Sequence, residues 1–285
     1  MVYFFSITAA VLFSLAAFIQ HKEAQLTPKS TNLKIALISQ LIKRPLWILG
    51  VGLDVLAFLA QFMALKAGSL LLVQPILAFG LTSTLLLEAI WGAKKSSPRI
   101  VVLSLMSAGV LAVFLLTTSV PVSESSPGLA TGVILTVVAV TEFILLRFLA
   151  PRLGVRAYGM VLGSSVGALH GLATFVTKAA ANQVATHGLF SALHSWPLYS
   201  LIVIGSIDLV LTQSAFQSAP LYVTMPLINV IEPSVAMLMG YFVLSESITG
   251  RFGYGFLGVI LATMAIVTVV ISISAARLVE SSEGA

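Results

Sequence analysis

The sequence has no cysteine. Disulfides and thiolate metal sites are therefore excluded. Charge is almost as scarce: Asp, Glu, Lys and Arg make up 9% of the 285 residues, against 58% hydrophobic. A soluble domain carries about 25% charged residues, so the charges here are too few to cover a water-facing surface. There is also no phosphate-binding glycine loop, no metalloprotease motif and no nucleophile with a base at a usable spacing. No enzyme chemistry and no cofactor is expected, and nothing in the spacing of the acids and histidines defines a metal site.

What the sequence does have is long apolar runs, with a mean hydropathy of +1.06. Each run is near the roughly 20 residues that a bilayer-spanning helix needs; barrel strands would be short and alternating. The expected fold is all-α, a polytopic membrane protein. Nine spans are expected, near 2–20, 46–67, 69–91, 99–118, 128–147, 157–178, 197–217, 220–243 and 253–275. The first run lacks a basic leader and a small-residue cleavage site, which predicts a retained helix and not a signal peptide.

The pI near 9.6 invites a nucleic-acid partner. The basic residues, however, sit between apolar runs, where they orient helices, and no nucleic-acid partner is expected. Of the 15 Lys and Arg residues, all but Lys66, Lys178 and Arg251 fall on one side of a nine-span topology. The positive-inside rule then predicts a cell-membrane protein with its N-terminus outside and its C-terminus in the cytoplasm. The stretch "LKIALISQLIKRPL" (Leu33–Leu46) is too short to span upright before its basic pair. Leu33, Leu37 and Leu41 share one helical face, so residues 33–45 are expected as an amphipathic helix on the cytoplasmic surface. Were this segment to span, there would be ten helices, and Lys22 and Lys29 would face outward against the charge rule.

Two stretches repeat. "LWILGVGLDVLAFLAQFMALKAGSLLLVQPILAF" (Leu46–Phe79) parallels "LYSLIVIGSIDLVLTQSAFQSAPLYVTMPLINV" (Leu198–Val230). Each has a Gly and then an Asp in one helix, a Gln further along, a short hinge, and a proline early in the next helix, Pro75 or Pro226. The two hinges fall on opposite sides of the nine-span topology. The expected organisation is one membrane domain of two inverted repeats, 1–120 and 121–285, which is a common transporter architecture with its site at the repeat interface.

The same residues, with "TQSAFQSAPLYVTMPLINVIEPSVAMLMGYFVLSE", resemble the drug/metabolite transporter superfamily of the EamA type. The branch resembled is the actinobacterial set similar to NIPA-like magnesium transporters. The resemblance covers nearly the whole chain. It implies a small helical carrier built from two inverted repeats, usually of five helices each; here Leu33–Leu46 stands where the first repeat's second helix would be. The NIPA-like relatives imply Mg²⁺ as solute, and other branches imply export of amino acids, nucleosides or drugs.

Polar residues inside the runs are the candidate site. A carboxylate at a helix centre costs about 2.5–3.5 kcal/mol on insertion scales, so such groups usually face a bundle interior or a wet cavity. Glu232 lies mid-span, and Tyr222, Met225, Asn229 and Glu232 form one stripe by helical spacing. Pro226 and Pro233 remove backbone donors from the same helix. Asp54 with Gln61, and Asp208 with Gln213 and Gln217, offer the same chemistry on two other spans. Gln74 precedes Pro75. Lys178 and Glu246 resemble residues of the family, with a cap or fold role expected for Glu246. His170 is accounted for by a carbonyl bond, Glu142 and Arg147 by a local pair, and Gly159, Gly163, Gly167 and Gly171 by close helix packing.

The expected function is a secondary carrier of a small cationic or zwitterionic solute, a divalent cation such as Mg²⁺ among them. Its site would lie near the midplane, lined by the spans at 46–67, 69–91, 197–217 and 220–243. Its partners would be the solute, the lipid bilayer and, in a homodimer, a second copy. One alternative is a metabolite or amino-acid exporter driven by proton exchange. Another is a scaffold or partner subunit that transports nothing.

Overall fold

The computed structural model describes residues 1–78, 80, 118–119, 125, 127–149, 152–153, 155–247, 249–250, 258, 262, 266 and 270. Most of the expected spans 99–118 and 253–275, and of 69–91 beyond residue 80, lies outside the described residues.

The described chain is almost entirely helical. Helix α1 is Val2–Gln25, followed by a 3₁₀ turn at Lys29–Thr31 and a short helix α2, Ile35–Leu41. Helix α3 is Pro45–Ala67, and α4 occupies 70–78. The second half has α5 (Leu129–Leu149), α6 (Val155–Leu193), α7 (Trp196–Ser218) and α8 (Leu221–Leu244). Two residue pairs, β1 (Thr118–Ser119) and β2 (Thr249–Gly250), form an antiparallel contact. Proline marks helix starts where its missing N–H costs nothing: Pro45 and Pro197 sit in first turns, and Pro220 is the N-cap of α8.

Six of these helices are long and apolar enough to cross a membrane. Their outward faces are also apolar. On α5, Leu129, Val133, Val137, Ile144 and Phe148 are all exposed. A contiguous apolar surface of that kind is costly in water and ordinary in lipid. The chain is a helical membrane protein.

The largest departure from the expected boundaries is in α6. An outer loop is expected over 179–196, yet the helix continues to Leu193. Its Ala-rich continuation keeps helix propensity after the hydropathy falls. A straight helix of that length would be about 58 Å, well beyond a bilayer. It breaks at Gly188, whose φ of 80° is left-handed and which only glycine adopts at little cost.

Helix α2 has seven residues, about 10 Å, and is too short to span. Its expected leucine face is present, but it is turned into the protein: Leu33, Leu37 and Leu41 are all buried, and α2 packs on α7.

The glycine ridge has a clear steric role. A Cβ on Gly159 would lie 2.7 Å from the Ala219 Cβ, one on Gly163 3.1 Å from the Thr224 Cα, one on Gly167 3.0 Å from the Ile231 Cβ, and one on Gly171 2.8 Å from the Glu232 carbonyl. Helices α6 and α8 therefore touch backbone to backbone. Helix α1 lies along α3, α5 and α6 pack on α7, and α3 crosses to α6.

Candidate functional site: a polar cavity among the helices

The close approach of α6 to α8 sets His170 beside Glu232, and α7 brings Asp208 to the ring's other edge. His170 Nε2 lies 3.1 Å from Asp208 Oδ2, and Nδ1 lies 3.4 Å from Glu232 Oε2. Thr212, one turn beyond Asp208, has its Oγ1 3.3 Å from His170 Nε2 and donates to Asp208 Oδ1 at 3.4 Å.

A second polar group faces this triad across the cavity. Gln20 of α1 donates to Asp54 Oδ2 of α3 and accepts from Gln213 Nε2 of α7. Trp47 Nε1 closes the chain by donating to Gln213 Oε1 at 3.0 Å. Gln61 Nε2 donates to Thr174 Oγ1 at 3.1 Å. All of these residues but Trp47, which stands behind Gln213, wall a cavity of about 470 Å³, with apolar sides that include Phe13, Phe58 and Phe216. Its acidic groups sit at mid-helix. The midpoint of α8 falls between Glu232 and Pro233, that of α7 falls at Ile207 beside Asp208, and Asp54 is two residues from the midpoint of α3. Few precisely placed polar groups in a largely apolar concavity is the usual composition of a small-solute site.

Of the residues singled out from sequence, Asp54, Gln61, Asp208, Gln213, Glu232 and Met225 line the cavity. Asn229 does not. The lining arc on α8 is Met225, Ile228 and Glu232, and at about 100° per residue Asn229 turns away from the Ile228 side. Gln74 and Asn229 are buried elsewhere, and neither amide has a hydrogen-bond partner among the described residues. Gln217 ties down the turn after α1 by donating to Thr27 Oγ1 at 2.7 Å and to the Pro28 carbonyl at 2.9 Å. Tyr222 lies in the first turn of α8, and its side chain is outside the described residues.

Lys178 is fully buried, but it does not line the cavity. Its Nζ donates to the carbonyls of Leu65 at 2.8 Å and Gly68 at 2.7 Å, at the C-terminal end of α3. Glu246 does the converse. Its carboxylate accepts from the N–H groups of Leu70 at 3.0 Å and Leu71 at 3.1 Å, at the start of α4. The chain reaches this position through Ser245, which is left-handed (φ 53°). Burial raises the Glu246 carboxyl above its ordinary value, against the two backbone bonds and the charge of Lys178.

Sequence reasoning undervalued His170 and missed Gln20, Trp47, Thr174 and Thr212. For Gln20 a signal was available: Phe13, Ala17 and Gln20 share one face of α1 at helical spacing, and all three line the cavity. For His170 no signal within its own helix marks the two acids, because both come from other helices.

The fold and cavity define a helical membrane protein with an acidic, hydrogen-bonded chamber at mid-bundle. No protein-family model and no solved structure matches the chain. The chain is similar to an uncharacterized protein of Corynebacterium glutamicum, 28% identical over 243 residues that cover 85% of this chain and 84% of that protein.

Proposed function

We propose that the protein is a secondary carrier moving a small cationic or zwitterionic solute by alternating access. In this reading it belongs to the drug/metabolite transporter superfamily, beside the NIPA-like magnesium transporters, with nine transmembrane helices in two inverted repeats, the N-terminus outside and the C-terminus in the cytoplasm. The observation that carries the reading is the mid-bundle cavity with acidic side chains from both halves, Asp54 from one and Asp208 and Glu232 from the other. Three carboxylates against one imidazole favour a positive group over an anion. Oxygen ligands also suit a hard divalent cation that keeps part of its water. A scaffold has no need for carboxylates at mid-helix, where each costs about 2.5–3.5 kcal/mol to insert.

The triad also supports proton exchange. A neutral imidazole has one N–H, yet both ring nitrogens of His170 face carboxylate oxygens. Either the ring carries two protons between two carboxylates, or it is neutral beside one protonated acid. Both arrangements hold the same single exchangeable proton. A cationic solute settling on Asp208 and Glu232 displaces it, and the proton returns when the solute leaves.

The test is flux in proteoliposomes with a panel of divalent cations, Mg²⁺ included, and amino acids, comparing wild type with Glu232→Gln. The variant keeps size and hydrogen bonding and removes the titration. It should insert, fold and lose coupled transport together with its pH dependence. Flux equal to wild type at every pH would leave Glu232 a structural residue.

A further inference from the structure

We propose that the end of the bundle where α1 and α7 finish and α6 begins holds a binding site for a phosphate group, separate from the mid-bundle cavity. A cleft of about 400 Å³ lies there between the turn after α1 and the ends of α5 and α6. Lys29, Lys34 and Arg147 line it, and among the described residues no carboxylate does. Among the described residues Lys29 and Arg147 form no ion pair, and Lys34 commits one donor to the Ser30 carbonyl at 2.8 Å. Glu142, the nearby acid on the same helix as Arg147, lies against Ser165 instead.

The turn that presents the two lysines is rigidly built. Asn32 Nδ2 donates to the Ser214 carbonyl at 2.9 Å, to Gln217 Oε1 at 2.7 Å and to Ser218 Oγ at 2.7 Å. Tyr158 donates its hydroxyl to Asn32 Oδ1. The Leu33 N–H donates to Ser214 Oγ at 3.0 Å. These bonds hold Leu33 at φ 53°, a left-handed conformation that is a genuine outlier for a bulky side chain. Such strain persists only where the surroundings over-determine it, and it clusters at ligand clamps. The two lysines presented by this turn and Arg147 at the end of α5, with no counter-charge among the described residues, are well placed for an anion. Arg offers a planar fork to phosphate oxygens, and Lys adds a point charge. A basic pocket between helix ends at the membrane boundary matches the chemistry that binds anionic headgroups, and free phosphate shares that chemistry.

The full-length protein is placed in phosphatidylcholine nanodiscs, and melting is followed in two arms: inorganic phosphate added to the buffer, or phosphatidylglycerol included at 30% of the lipid. A rise in melting temperature is expected in one arm at least, and the responding arm identifies the source. Lys29→Gln/Lys34→Gln/Arg147→Gln should lose the rise, and Lys34→Gln alone should raise the ligand level needed about fivefold. Lys22→Gln/Lys43→Gln/Arg152→Gln removes equal charge outside the cleft and should keep the rise. If the triple cleft variant does not fold in phosphatidylcholine, the three single variants carry the comparison. No rise in either arm, or equal loss in cleft and control variants, overturns the proposal.

Discussion

Lys178 and Glu246 are buried charges that never reach the cavity. Together they hold the α3–α4 hinge from the second half of the chain. The cation sits on the last carbonyls of α3 and the anion on the first N–H groups of α4, the arrangement that helix dipoles favour. Both link the two halves, whatever the protein carries. Glu246→Ala strands two buried N–H groups and should cost about 1–3 kcal/mol for each, read as a lower melting temperature in detergent. Because burial raises its carboxyl, the folded state holds that proton to higher pH than the unfolded chain. Its contribution to stability is thus full below the ordinary carboxylate range and is lost as pH rises through the raised value. The stability of wild type relative to Glu246→Gln should therefore fall as pH rises above the ordinary carboxylate range; a constant difference would mean that the group does not titrate there. Lys178→Met should lower melting temperature without changing solute selectivity. Altered selectivity at unchanged stability would return Lys178 to the solute pathway.

At the scale of elements, the glycine ridge of α6 does for the site what no single polar residue does. It lets α8 approach until Gly171 meets the Glu232 carbonyl, and this closeness brings His170 within 3.4 Å of Glu232. Gly167→Leu would force the two backbones apart. We expect a loss of about 1–3 kcal/mol, the range of overpacked cores, together with reduced flux, since the triad opens. Wild-type melting and full flux would show that the helices repack freely. The ridge was legible because a four-residue period of glycine has few meanings. The acids were legible because carboxylates rarely sit within apolar runs. The partner of each acid was not legible: Asp208–His170–Glu232 joins three helices, and spacing along one helix carries no information about another. The Asn229 stripe failed for a related reason. Spacing fixes which residues share a face but not how far the helix is rotated about its axis, and α8 is turned so that Ile228 takes the place expected for Asn229.

For the whole molecule, composition alone gave away the membrane, since 9% charge leaves no water-facing surface to build. The length of α6 and the burial of α2 did not follow from hydropathy, because both depend on contacts with other helices. The central claim is that the cavity opens in turn to each side of the membrane. The missing cysteines make this directly measurable. Ala173 lines the cavity from α6, so Ala173→Cys places a single thiol there against no background. With oriented vesicles, the rate of reaction with a membrane-impermeant cationic thiol reagent is measured from each face in turn. The account predicts reaction from both faces, slowed by whichever solute the protein carries. Reaction from neither face, or from one face only and unaffected by every solute in the panel, would contradict it.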